Sequence, residues 1–136
     1  MAIQPYLFFE GRCDEAIAFY QQALGATVKM LMRYQDMPRT PGDEGPHGPP
    51  EKVMHARLLV GEAELLVSDG RCRGKTDFRG FGLSLTAADE AEAARRFNAL
   101  AEGGAVMMPL GKTFFSPAFG MVSDRFGVLW MVYVPG

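Results

Sequence analysis

Hydrophobic and polar positions divide the chain into two similar runs of elements. Ile3 to Phe9 gathers branched and aromatic side chains over the length of one strand. Pro5 cannot donate to a backbone ladder there, so it points to an edge, a bulge or a cavity-lining position. Gly11 ends that strand. From Asp14 the apolar positions Ala16, Ile17, Phe19, Tyr20 and Leu24 recur at helical spacing, and Gly25 supplies a C-terminal stop. The pattern predicts a helix of about three turns. Ala26 to Tyr34 reads as extended. It is followed by the glycine- and proline-rich stretch Met37 to Pro50, which predicts a long loop with His47 exposed on it. Val53 to Val60 and Glu64 to Ser68 form a hairpin-like pair about Gly61, Glu62 and Ala63.

The second run begins at Phe81 to Thr86, a strand, and continues through a helix from Asp89 to Leu100 whose Ala91, Ala94, Phe97 and Leu100 share one side. Gly103 and Gly104 stop it. Ala105 to Pro109, Phe114 to Ser123 and Val128 to Val134 read as extended, with Asp124 to Gly127 as the last turn. Pro5 to Phe9 thus matches Phe81 to Leu85 at an offset of about 76 residues, and Gly25 matches Gly103 at 78. Strand, helix, glycine, strand and a hairpin pair recur in that order. The expectation is an α+β fold of paired βαβββ modules, about 1–70 and about 78–136, within one domain of residues 1–136. A basic linker, with three arginines and a lysine between Arg71 and Arg79, joins them. Neither half can bury its helix alone, so a shared core is expected.

Composition narrows the function classes. The 136 residues carry 14 Lys plus Arg against 16 Asp plus Glu, for a formal charge of −2 with no long block of either sign. That gives no footprint for nucleic acid. Two cysteines, Cys13 and Cys72, are too far apart to form a metal or redox motif and are expected to be reduced thiols. No basic segment with a following apolar run opens the chain, and no later stretch reaches the ~20 residues that span a bilayer. A cytoplasmic protein without membrane attachment is the expectation.

Four local motifs stand in order along the chain: Asp14 to Tyr20 leading to Leu24 and Gly25, Val53 to Leu58, Val67 to Asp69, and Asp124 to Trp130. In this order and spacing the chain resembles the vicinal oxygen chelate superfamily, also called the glyoxalase, bleomycin-resistance and dioxygenase fold, and within it the PhnB-like branch. The resemblance implies two βαβββ modules forming a partly open, eight-stranded barrel-like sheet around a cavity, and a homodimer. It further implies a divalent metal held by four His or Glu ligands, one on the first and one on the last strand of each module. Here those positions fall on Pro5, Glu64, Phe81 and Met131 or its neighbour Trp130. Only Glu64 offers a hard ligand atom, so no metal and no other cofactor is expected. Some PhnB-like sequences carry a name resembling demethylubiquinone methyltransferase. This chain has no glycine-rich strand-to-helix loop of the kind that holds a nucleotide-like methyl donor.

The remaining chemistry is sparse. His55 either packs on its strand or faces the cavity as a base or donor, and Arg57 lies on the same strand face, suited to an anionic group if that face points inward. Ser68, Asp69 and Asp124 read as turn-satisfying groups. Phe81, Phe114, Met121, Trp130 and Met131 belong to an aromatic and thioether concentration that supplies core packing and candidate lining for a planar ligand. With His55, Arg57 and Glu64 they form the candidate ligand-binding set. The expected function is binding of a small, partly apolar or aromatic molecule without a catalytic metal, catalysis being undecided. The alternative is a glyoxalase-type lyase, isomerase or dioxygenase with an unusual ligand set.

Overall fold

A computed structural model describes residues 1–37, 49–72 and 74–136. Most of the long glycine- and proline-rich loop, with His47, lies outside the described residues, as does Arg73 of the basic linker. The chain divides into two compact units, Met1–Thr76 and Asp77–Gly136, so residues 71–76 of the linker belong to the first. Among the described residues no helix is long and apolar enough to cross a membrane. Cys13 and Cys72 are both free thiols.

The first unit runs β1 (Tyr6–Phe8), α1 (Cys13–Leu24), β2 (Thr27–Arg33), a short 3-10 turn (Tyr34–Asp36), β3 (Val53–Val60) and β4 (Ala63–Ser68). Its sheet has the order β1-β4-β3-β2, with β1 parallel to β4 and the other pairs antiparallel. Helix α1 forms because Cys13, Ala16, Ile17, Tyr20, Ala23 and Leu24 make one buried stripe. It ends because Gly25, at φ 67°, takes the left-handed turn. Gly25 N–H then bonds Gln21 O, and Ala26 N–H bonds Tyr20 O, which satisfies the last carbonyls. Leu7, Val67 and Ala56 are direct cross-strand neighbours and all buried, as are Leu65 and Leu58. These rows are the module's core.

The second unit repeats the plan with β5 (Leu83–Thr86), α2 (Glu90–Ala101), β6 (Ala105–Gly111), β7 (Phe119–Ser123) and β8 (Leu129–Tyr133) in the order β5-β8-β7-β6, β5 being parallel to β8. Asp89 caps α2 by accepting from Glu92 N–H at 2.8 Å. Ala93, Phe97 and Leu100 form its buried stripe, so the packed side is centred one position away from the expected Ala91 and Ala94, of which Ala91 is exposed and Ala94 half-buried. At Gly120 an added Cβ would come 2.7 Å from Phe97 Cε2, so the centre of β7 must be glycine for α2 to lie this close. The chain is therefore two βαβββ modules, each a mixed four-stranded sheet carrying one helix.

Further expectations are corrected. The segment from Phe114 does not enter a strand until Phe119, because Thr113 and Ser116 close a turn on themselves. Thr113 N–H bonds Ser116 O, and the single proton of the Ser116 hydroxyl is shared between Ala118 O at 2.7 Å and Val134 O at 2.6 Å. The internal match was also two residues out at its first strand. Tyr6 pairs with Leu66 as Ser84 pairs with Met131, and Phe9 N–H bonds Ser68 O as Ala87 N–H bonds Tyr133 O. The hydrogen-bonded offset is 78 residues for the first strand (Tyr6 to Ser84, Phe9 to Ala87) and 65 for the last (Leu66 to Met131, Ser68 to Tyr133), so Pro5 corresponds to Leu83 rather than Phe81, which precedes β5. Aromatic likeness had misaligned what backbone register aligns.

Candidate functional site

Each sheet has one face buried and one open. In the first module the open face carries Tyr6 and Phe8 from β1, Glu64, Leu66 and Ser68 from β4, His55 and Arg57 from β3, and Met30 and Met32 from β2. Pairing of Tyr6 with Leu66, Leu66 with Arg57, Arg57 with Met30 and His55 with Met32 puts these on one side. Tyr6 and Phe8 are 39% and 47% exposed, and their rings stack at 4.8 Å with 12° between planes. That is a large apolar surface left to solvent on a sheet otherwise able to bury it.

The polar groups of this face are organised around it. Tyr6 Oη lies 2.6 Å from His55 Nδ1, with the rings 5.4 Å apart. Burial first, and the neighbouring Tyr34 hydroxyl second, push the Tyr6 phenol above its ordinary value, so at neutral pH it keeps its proton. The direction of the bond follows the tautomer: Tyr6 O–H donates to Nδ1 when the imidazole hydrogen sits on Nε2, and Nδ1–H donates to Tyr6 Oη when it sits on Nδ1. Arg57 Nη2 bonds Glu64 Oε1 at 2.6 Å, while Gln4 Nε2 donates to Glu64 Oε2 at 2.8 Å. The guanidinium holds the Glu64 carboxyl below the usual carboxylate range. His55, Arg57 and Glu64, which the sequence singles out, are thus brought onto one face. Tyr6 and Phe8, which it does not single out, supply the ring platform beside them.

The second module's open face is thioether-rich. Met121 and Met131 are direct cross-strand partners, Met121 also pairs with Met108, and Met131 lies opposite Ser84. Phe119 touches Phe115 at 5.1 Å and Tyr133 at 6.3 Å. The other candidates lie elsewhere. Phe114 sits on the turn before β7, 101% exposed, and Phe81 packs edge-on against Phe78. Trp130 pairs with Val122 on the side of the sheet that carries Gly120 and faces Phe97 of α2. It is buried, and its indole N–H donates to Asp124 Oδ2 at 2.9 Å. Its position is that of a core residue.

Asp69 and Asp124 act on backbone. Asp69 Oδ1 accepts from Gly11 and Cys13 N–H at 2.9 and 2.8 Å, which caps the start of α1, and Oδ2 accepts from Val53 N–H at 2.8 Å. Asp124 Oδ1 accepts from Phe126 and Val128 N–H. Burial first and the Asp69 carboxylate second push the Cys13 thiol far above its ordinary value, so it is no nucleophile.

The fold's usual metal does not fit the donors present. Of the positions the resemblance implies, Glu64 is already paired with Arg57, while Pro5, Met131 and Leu83, which the register puts in the place expected for Phe81, offer no hard donor atom. Among the described residues no group of three or more His, Cys, Asp or Glu side chains could hold a metal ion.

Comparison with known proteins accords with this plan. A profile of the family described as 3-demethylubiquinone-9 3-methyltransferase matches residues 1–133. The protein YjdN of Escherichia coli K12 is 36% identical over 140 residues, which cover 98% of this chain and 95% of that protein. The crystal structure of PA1353 from Pseudomonas aeruginosa, 46% identical, superposes with a TM-score of 0.84 over 99% of this chain and 98% of its own. A Bacillus cereus structure described as a putative 3-demethylubiquinone-9 3-methyltransferase, PhnB protein, is 30% identical, with a TM-score of 0.81 over 98% and 99%. Two βαβββ modules of matching register, and likeness along nearly the whole chain, show that the protein belongs to this PhnB-like family of the vicinal oxygen chelate superfamily.

Proposed function

We propose that this protein binds a small, partly aromatic molecule on the open sheet faces of its modules, without a catalytic metal. The observation that carries the reading is the stacked, half-exposed Tyr6–Phe8 pair flanked by His55 and the Arg57–Glu64 ion pair. A planar ring gains contact area on such a platform at little entropic cost, and neighbouring polar groups fix its orientation. The Met108, Met121 and Met131 cluster in the second module is a second, more adaptable apolar surface of the same kind.

The family description names methyl transfer. In this chain the turns that lead into the two helices read Glu10-Gly11-Arg12 and Ala87-Ala88-Asp89, and neither is a glycine-rich cradle for a nucleotide-like donor. Our reading therefore keeps a planar ring as the ligand and leaves the transfer out. A single domain, cytoplasmic residence and assembly as a homodimer are parts of the same proposal. The exposed apolar row Val106, Met107 and Met108 on edge strand β6 supports the last.

Titration of chelator-treated protein with 2-naphthol, followed by calorimetry, tests the proposal. The expected result is saturable binding unchanged by zinc, nickel or manganese and weakened about tenfold in Phe8→Ala. Binding that requires one of those ions, or that ignores the loss of Phe8, overturns it.

A further inference from the structure

Phe8 has a second neighbourhood. With Glu10, Gly70, Arg71, Gly74 and Lys75 it lines a cavity of about 340 Å³ beside the turn that follows β4. Among the described residues two cationic side chains and one carboxylate line this space, and neither Arg71 nor Lys75 makes an ion pair. The other arginines in those pairs, Arg12, Arg33, Arg57 and Arg79, each hold an acidic side chain.

The backbone of the site is strained and pinned. Among the described residues the non-glycine positions with positive φ are Glu10, at 49°, and Cys72, at 55°. The first lines the cavity and the second follows Arg71. Such conformations cost free energy and persist where their surroundings hold them. Here Tyr34 O–H donates to Gly70 O, Gly70 N–H bonds Ser68 Oγ at 2.9 Å, and Cys72 N–H bonds Asp69 O at 3.3 Å. Gly70 itself has φ +59°. A Cβ there would come 3.1 Å from Glu10 Oε1 and 3.4 Å from Phe8 Cδ1, filling the corner between ring and carboxylate. Bare backbone at that corner keeps the edge of Phe8 open to the cationic side.

We infer that this cavity receives the oxyanion of the ligand, so that the molecule bound is a planar ring bearing a carboxylate or phosphate. This rests on the reading that Phe8 and Tyr6 carry the ring. Phe8 belongs both to the stacked pair and to the cavity lining, so a ring on its face places a substituent beside Arg71 and Lys75. Guanidinium and ammonium groups bond such oxyanions through charge-assisted hydrogen bonds.

The test compares three matched probes, 2-naphthol, 2-naphthoate and 2-naphthyl phosphate, by calorimetry at low salt. The wild-type protein is set beside Phe8→Ala and the double variant Arg71→Gln/Lys75→Gln. Either or both anions are expected to bind about tenfold more tightly than the neutral probe, the better one identifying the oxyanion. That preference should vanish in the double variant, whose affinity for 2-naphthol stays at the wild-type level. Equal binding of all three probes by the wild type, or a preference that survives in the double variant, overturns the inference. Either of those results, with 2-naphthol still bound and weakened in Phe8→Ala, separates this failure from that of the ring platform, which instead shows as no effect of Phe8→Ala on any probe. An unchanged thermal midpoint for the double variant, expected because both side chains are exposed, assigns the loss to the site.

Discussion

Asp69 and Asp124 are buried to the same degree and bond backbone N–H groups in the same way, yet they do different work in their modules. Asp69 reaches partners 58, 56 and 16 positions away in sequence, tying the β1–α1 turn to the start of β3. Asp124 reaches 2, 4 and 6 positions, closing one turn and anchoring Trp130. One carboxylate joins separate elements, and the other shapes the turn between two adjacent strands. The number of bonds is similar, so the difference in consequence lies in what each bond holds together.

The largest expected effect is therefore at Asp69. Asp69→Ala leaves three N–H groups of different elements without their acceptor and should cost about 5 kcal/mol in urea unfolding, with loss of protection at the start of α1 in hydrogen exchange. A cost equal to that of Asp124→Ala would erase the distinction. Trp130→Ala comes next, at about 4 kcal/mol, because a buried ring is lost from the sheet face that meets α2. Trp130→Phe should recover most of that and leave only the missing indole bond to Asp124, about 1 kcal/mol. If the two variants unfold alike, the bond and not the packing carries the residue.

The smallest effect concerns charge. Hydrogen bonding to Arg33 comes first among the causes that hold the Asp14 carboxyl below its ordinary value. A depressed carboxylate contributes stability above its unfolded pKa and loses it as pH falls through the folded one. Arg33→Ala should thus lower the thermal midpoint by about 1 to 3 °C at pH 7 and by nothing at pH 2, the two curves merging below about pH 4. A difference that persists at pH 2 would show that Arg33 acts through its bond to Glu51 O instead.

The helices were legible in the sequence because each announces itself twice, by a stripe and by an end. Ala16, Ile17, Tyr20 and Leu24 precede Gly25, and Asp89 precedes Phe97 and Leu100, although the alanine buried with them is Ala93 and not the Ala91 or Ala94 that the spacing suggests. The hairpin about Gly61 was legible for a similar reason. The aromatic platform was not, because Tyr6, Leu7, Phe8 and Phe9 are all apolar and show no contrast between in and out. Only pairing with Leu66 and Ser68 puts Tyr6 and Phe8 on the open side. Trp130 and Met131 carry the same ambiguity, which register resolves in opposite directions. The basic turn is legible as charge alone; its cavity brings Phe8 and Glu10 beside Gly70, Arg71, Gly74 and Lys75, a meeting of distant segments that no composition encodes.

In each module the first strand pairs only with the last: β1 with β4, and β5 with β8. During synthesis, then, β1 waits on the ribosome with its ladder open until Ser68 has emerged, and β5 waits until Tyr133 has. At about 5 to 20 residues per second this leaves each strand edge unpaired for seconds. A nascent second module has no partial form in which β5 is paired, so a chain stopped anywhere before β8 presents that edge to whatever protein meets it first.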